Sequence, residues 1–182
     1  MRLLTLLALI VLGTAAQAQE KIKWMSFDEA FAAQKVTPKK LYVDAYTVWC
    51  GPCKRMEATT LSNPDVVAYI NENFYPVKWN AEGKVPVTYQ GITYANARWD
   101  AKKANTRNYP HELGQKLGVR AYPSTIFFDE EGKSLGPIPG MLPVSQMEFL
   151  LKMFKEDKYK GITTAEDYKK LQEEFVPTFK TK

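Results

Sequence analysis

Leu41-Tyr42-Val43-Asp44-Ala45-Tyr46-Thr47-Val48-Trp49-Cys50-Gly51-Pro52-Cys53-Lys54-Arg55-Met56 is the stretch whose reading decides the fold. Its first six residues are apolar and β-prone apart from one aspartate, and the residues after Cys53 are good helix formers. Strand, tight turn and helix follow from that order, with Cys50 at the turn and Cys53 in the first helical turn. At such a helix start the backbone N–H groups point outward and the dipole favours negative charge, so a Cys50 thiolate is stabilised there. A thiolate attacks a disulfide, and a second thiol three residues on can resolve the mixed disulfide. The spacing therefore points to dithiol–disulfide exchange.

Other uses of the pair are weaker. Cys50 and Cys53 are the only cysteines in 182 residues, and His111 is the only histidine. A zinc site asks for about four ligands, which would have to be completed by carboxylates. Covalent haem attachment needs a histidine directly after the second cysteine, where this chain has Lys54. A purely structural disulfide closing so short a loop removes little chain entropy compared with a longer one.

Toward the N-terminus, residues 1–18 carry the three parts of a secretory leader: basic Arg2, an apolar run from Leu3 to Leu12, and the small-x-small site Ala16-Gln17-Ala18. The run is too short to span a membrane. Cleavage after Ala18, an exported (periplasmic or secreted) product and no stable membrane insertion are expected. Loss of the leader removes only Arg2 from the charge count, leaving 24 basic against 20 acidic residues and a net charge of +4. A charge of that size, spread along the chain, calls for no nucleic-acid partner. Lys39-Lys40 and Lys102-Lys103 read as solvated pairs. Residues 19–182 suit a single domain. Export permits disulfides to persist, yet both cysteines are spent on one motif, so folding proceeds without a structural staple.

Downstream and upstream, helices alternate with strands. Ser26-Phe27-Asp28-Glu29 is a capping box opening a helix to about Lys35. The helix after the cysteines runs to about Leu61, and Asn63-Pro64 starts another. Phe74 to Asn80 reads as a second strand, and the alternation argues for a βαβ unit with a parallel core. Residues 81–110 break the rhythm. Val85 to Tyr89 and Ile92 to Tyr94 flank Gln90-Gly91 as a hairpin, and a polar stretch follows. A decorated loop is the default reading, with a cap on the sheet or a partner surface as the others. His111 to Leu117 forms a short helix closed by Gly118. Pro123 stands at the start of a β-rich run, where a missing donor is tolerated. A turn at residues 130–133 leads to a short antiparallel strand reaching Leu135, and Pro137 to Gly140 reads as irregular. Met147, Leu150, Leu151 and Phe154 mark the core stripe of a helix over Val144 to Lys155. A last helix after Thr164 either packs back or forms a tail.

With these pieces assembled, the chain resembles the thioredoxin family over about residues 24–155. Val43-Asp44 followed by Trp49 to Lys54 is similar to the family's active-site strand and turn. The resemblance implies an α/β, thioredoxin-like three-layer sandwich with a mixed central sheet, an insertion at about 81–110 and a helical extension at about 156–182. It implies Cys50 as the exposed nucleophile and Cys53 as the shielded resolving thiol. Asp44 falls where the family keeps a buried carboxylate, whose raised pKa would let it take the Cys53 proton. Lys78 falls where a lysine pairs with that carboxylate. Pro123 resembles the cis-proline facing the cysteines, with the Tyr122 backbone beside it for an extended substrate. Trp49, Gly51, Pro52 and Gly140 complete the substrate side. The bland readings are a satisfied carboxylate at a sheet end for Asp44 and a solvated strand residue for Lys78.

The resemblance implies a monomeric protein-disulfide oxidoreductase needing no cofactor beyond the Cys50–Cys53 pair. Gly-Pro between the cysteines favours a reductase, acting on exported proteins with disulfides and drawing electrons from a membrane donor. The alternatives are a disulfide oxidase or isomerase, or a binding module in which the motif is incidental.

Overall fold

In the computed structural model, which describes residues 20–181, regular structure begins at the expected capping box. The Ser26 side chain accepts from the Glu29 amide, Glu29 accepts from the Ser26 amide at 2.7 Å, and α1 (Phe27–Val36) follows. The expected leader, residues 1–18, lies outside the described residues. β1 (Leu41–Tyr46) leads into α2 (Gly51–Thr59), which stops two residues short of the expected Leu61. α3 (Pro64–Asn73) starts where Asn63 accepts from the amides of Asp65 and Val66. β2 (Tyr75–Asn80) then returns parallel to β1. β3 (Val87–Tyr89), β4 (Ile92–Tyr94) and α4 (Glu112–Leu117) fill the interval before β5 (Ser124–Phe128) and β6 (Ser134–Pro139). α5 (Val144–Lys155) and α6 (Ala165–Glu173) end the fold.

The four-stranded sheet has the order β2-β1-β5-β6, with β1 and β2 parallel and the other pairs antiparallel. β6 corrects an expectation. Pro137, Ile138 and Pro139 are strand residues opposite Ile126, Thr125 and Ser124, not irregular chain. β6 is an edge strand, and prolines two residues apart place both missing donors on one side of it, where no neighbour needs them.

Alternation along β1 divides the core in two. Leu41, Val43 and Ala45 pack with Phe27, Ala30, Leu113 and Tyr89 on one face of the sheet. Tyr42 packs with Met56, Ile70, Phe127, Leu151 and Phe154 on the other. Helices on both faces of a mixed sheet make the expected three-layer sandwich, and the α5 stripe is buried as its period requires. Asp44 and Lys78 share the parity of Tyr42, so both lie on the face that α2 covers.

Residues 81–110 do more than decorate. The hairpin turns at Gln90 and Gly91, both at positive φ (52° and 77°), the geometry that suits the twist of two short strands. Tyr89 stacks on Phe31 and meets Phe128 edge-on, with ring centroids 5.8 and 5.7 Å apart, extending the α1 layer. The His111 amide donates to the Ala81 carbonyl at 2.9 Å, joining the two ends of the segment. The C-terminal extension packs back. Tyr168 and Phe175 lie edge-on to Phe149, and buried Glu148 accepts from the amides of Thr178 and Phe179 at 2.7 and 3.0 Å.

Lys40 is the second correction. Read as half of a solvated pair, it is 3% exposed, with Nζ 2.6 Å from Glu130 and 2.9 Å from Asp157. Its carboxylate partners come from the β5–β6 turn and the chain just after α5, so no local pattern announces them. Lys102 and Lys103 are exposed as expected. Among the described residues no helix is long and apolar enough to cross a membrane.

Candidate active site

Cys50 is the N-cap of α2, and Pro52 stands in the first helical turn, where its missing N–H costs nothing. Cys50 and Cys53 are joined in a disulfide, and the Cys50 sulfur accepts from the Cys53 amide at 3.1 Å. The expected exposure of Cys50 is not what this oxidised state presents. Cys50 is 1% exposed and Cys53 5%, while Gly51 and Pro52 are open to solvent. The bond to Cys53 and the amide contact draw the Cys50 sulfur inward over the first turn of α2.

Asp44 is 2% exposed and sits opposite Lys78 in the β1–β2 register and opposite Thr125 in the β1–β5 register. Its Oδ1 has no hydrogen-bond partner among the described residues. Desolvation raises the Asp44 pKa to about 6, with the Lys78 charge opposing the rise and the Glu57 charge adding to it. Lys78 Nζ is 4.0 Å from Asp44 but 2.6 Å from Glu57, and it lies over the rings of Trp24 and Tyr46 at 5.4 and 5.3 Å. The bland reading of Asp44 as a satisfied carboxylate does not describe this geometry. Nor is Lys78 a freely solvated residue, because Glu57 holds it. Glu57 was not anticipated, although it lies one helical turn after Cys53 and so on the same side of α2.

Tyr122-Pro123 is a cis peptide, and Gly140, at φ 101°, donates its amide to the Pro123 carbonyl at 2.8 Å. The strand-start proline and the glycine after β6 are therefore brought together. Trp49 meets Tyr122 edge-on at 6.1 Å. Burial, and then the Glu82 charge, push the Tyr122 phenol up to about 12.

Two further residues were missed. Buried Glu82, two positions past β2, accepts from the Trp49 indole at 2.7 Å and from the Asn108 amide at 2.8 Å. Arg107 lies 4.4 Å over the Trp49 ring. Glu82 is findable in principle, since it follows a strand that ends beside the motif; Arg107 carries no local signal. Together they bind the 81–110 segment to the residue before Cys50. His111 serves structure: Nδ1 accepts from the Leu113 amide at 3.1 Å, Nε2 faces the Val85 carbonyl at 3.1 Å, and burial pushes its pKa down. Among the described residues no group of three or more His, Cys, Asp and Glu side chains is placed to hold a metal ion.

A family profile described as a thioredoxin-like domain matches residues 27–155. The chain is 28% identical over 99 residues to the thiol:disulfide interchange protein DsbD of Photorhabdus laumondii, a match covering 53% of this chain and 13% of that much longer protein. It is similar to the solution structure of a provisionally assigned disulphide-isomerase from Bacteroides thetaiotaomicron, with 28% identity, a TM-score of 0.51, and coverage of 76% and 95% of the two chains. The structure of a DsbH oxidoreductase aligns with a TM-score of 0.54 at 19% identity over 82% of this chain and 94% of its own, a likeness of fold.

Proposed function

The chain belongs to the thioredoxin-like domain family, and from that membership and the site geometry we propose that it is an exported thiol–disulfide oxidoreductase that reduces disulfides in other exported proteins. The observation that carries the reading is the pairing of a disulfide at the start of α2 with a buried carboxylate of pKa about 6 on the sheet face that helix covers. In the reduced chain, the Cys50 thiolate attacks one sulfur of a substrate disulfide. A Cys50–substrate disulfide forms and the second substrate sulfur leaves as a thiolate. Asp44 takes the Cys53 proton, Cys53 attacks the Cys50 sulfur, and the first substrate sulfur is released. The chain ends as the Cys50–Cys53 disulfide and the substrate as a dithiol, one departing thiolate taking the proton held by Asp44 and the other a proton from solvent. Lys78, shared between Asp44 and Glu57, sets how readily Asp44 ionises. Tyr122, Pro123 and Gly140 supply the surface beside which an extended substrate lies, with Trp49, Gly51 and Pro52 flanking the reacting sulfur.

Export is supported by the leader-like pattern of residues 1–18, and it implies a membrane donor to return the disulfide to the dithiol. The decisive measurement is the equilibrium potential of the Cys50–Cys53 couple against a thiol buffer. A value near about −270 mV supports the reductase, and one near about −120 mV overturns it in favour of an oxidase. Insulin reduction should disappear in Cys50→Ser. A variant that keeps its full cellular function would instead make the motif incidental to a binding module.

A further inference from the structure

Residues 81–110 hold five basic side chains, Lys84, Arg98, Lys102, Lys103 and Arg107, all exposed. The two acidic residues of the segment pair with none of them: Glu82 is buried on Trp49 and Asn108, and the Asp100 carboxylate accepts from the Lys102 amide at 2.9 Å. None of the five cations makes an ion pair among the described residues. Four of them instead lie over aromatic rings. Arg107 covers Trp49 at 4.4 Å, Arg98 and Lys103 share Tyr109 at 4.1 and 5.3 Å, and Lys84 lies over Trp99 at 5.4 Å. A ring face orients a cation without using up its N–H donors, so the groups are positioned yet uncommitted. Crowding like charges also costs the free protein self-repulsion, which an anionic partner would relieve.

The rim has a fixed place relative to the disulfide. Arg107 rests on the residue that precedes Cys50, and Glu82 ties both that residue and the amide of Asn108 together. We propose that this cationic rim selects substrates, favouring proteins that carry a carboxylate-rich segment next to the disulfide to be exchanged. The inference rests on the oxidoreductase reading and adds the substrate class to it. Guanidinium groups pair with carboxylates in a two-pronged fashion that a dispersed net charge cannot provide. Nucleic acid suits the rim less well, because the rings a base would stack on already carry the chain's own cations.

The test uses the reduced chain and three matched peptides whose disulfide is flanked by glutamates, by serines or by lysines, with the exchange rate followed by stopped flow. At low salt the glutamate peptide should react about tenfold faster than the serine peptide, with the lysine peptide slowest. The advantage should shrink as ionic strength rises, since the screening length falls to about 10 Å at 0.1 M. In Arg98→Gln/Lys103→Gln the ratio of glutamate to serine rates should fall toward one. Equal rates for all three peptides overturn the inference while leaving the oxidoreductase reading intact. No exchange with any of them removes both. A single-stranded oligonucleotide that blocks exchange better than a glutamate peptide would assign the rim to nucleic acid and likewise overturn the proposal.

Discussion

Burying a carboxylate without a full set of hydrogen bonds costs stability whenever the group is ionised, and Asp44 is such a case. Its pKa is raised from 3.8 to about 6, so the folded chain holds the proton to higher pH than the unfolded chain does. Stability is therefore greatest below the unfolded value and is lost as pH rises through the window between the two. The shift corresponds to about 3 kcal/mol once Asp44 is ionised. Asp44→Asn in the oxidised chain should gain up to about 3 kcal/mol in urea unfolding at neutral pH, and the gain should vanish near pH ~4. The same substitution removes the proposed proton acceptor. Resolution by Cys53 should slow by about a hundredfold at neutral pH, and the wild-type rate should fall as pH drops through Asp44's pKa. A variant that is both more stable and equally fast would leave Asp44 without a chemical role. That this aspartate is desolvated was legible from its place in an apolar strand. That Glu57, and not Asp44, takes the closer hold on Lys78 was not, because the choice depends on how α2 lies over β2.

At the scale of elements, α6 contributes no fully buried residue; Tyr168 and Leu171 pack it against the core, and the chain after it is held by Phe175 and by Glu148. Glu148 accepts from Lys152 Nζ at 2.6 Å, from the Thr178 amide and hydroxyl at 2.7 and 2.8 Å, and from the Phe179 amide at 3.0 Å. Burial would raise its pKa, but these donors outweigh it and hold the carboxyl below its usual range. A lowered carboxylate stabilises above its unfolded pKa, and that contribution is lost as pH falls through the folded value. Charge-assisted bonds of this kind contribute about 1.5–3 kcal/mol each. In Glu148→Ala the amides of Thr178 and Phe179 should exchange with deuterium at least about tenfold faster, while those of β1 and β5 keep their protection. Uniform loss of protection would mean that Glu148 supports the core and not the extension alone. The capping box at Thr164 predicted where α6 starts; nothing in its own pattern says what it docks on.

For the whole molecule, Lys40 joins the start of β1 to the β5–β6 turn and to the chain after α5. Burial disfavours its charge, yet the hydrogen bonds Lys40 donates to Glu130 and Asp157 outweigh that and raise its pKa. A raised lysine stabilises at all pH values below its unfolded pKa, so the clamp is fully present at neutral pH and is lost only in strong base. Removing both carboxylates, as Glu130→Gln with Asp157→Asn, would leave a buried ammonium unpaired and should cost about 3–5 kcal/mol in urea unfolding. Asparagine tolerates the positive φ of 59° at position 157, so backbone strain is not the cause. Lys40→Met should cost much less, because the carboxylates it releases are 35% and 42% exposed and return to water. Equal costs for the two variants would show that the clamp acts through packing rather than charge.

By itself the sequence determined whatever short-range physics controls. The capping residues Ser26, Asn63 and Thr164, the β-rich run before Cys50, the helical stripe of α5, the turn at Gln90-Gly91 and the cysteine spacing all act over a few residues, and each appears where its local chemistry puts it. Only the tertiary structure decided which distant groups meet. Lys40 and Glu130 are 90 residues apart in sequence, Trp49 and Glu82 are 33 apart, and Arg107 reaches Trp49 from the far end of the 81–110 segment. Such pairs leave no periodic trace in a single chain. Their partners are chosen by how helices and loops settle on the sheet, where the cost of burying a charge makes one arrangement win.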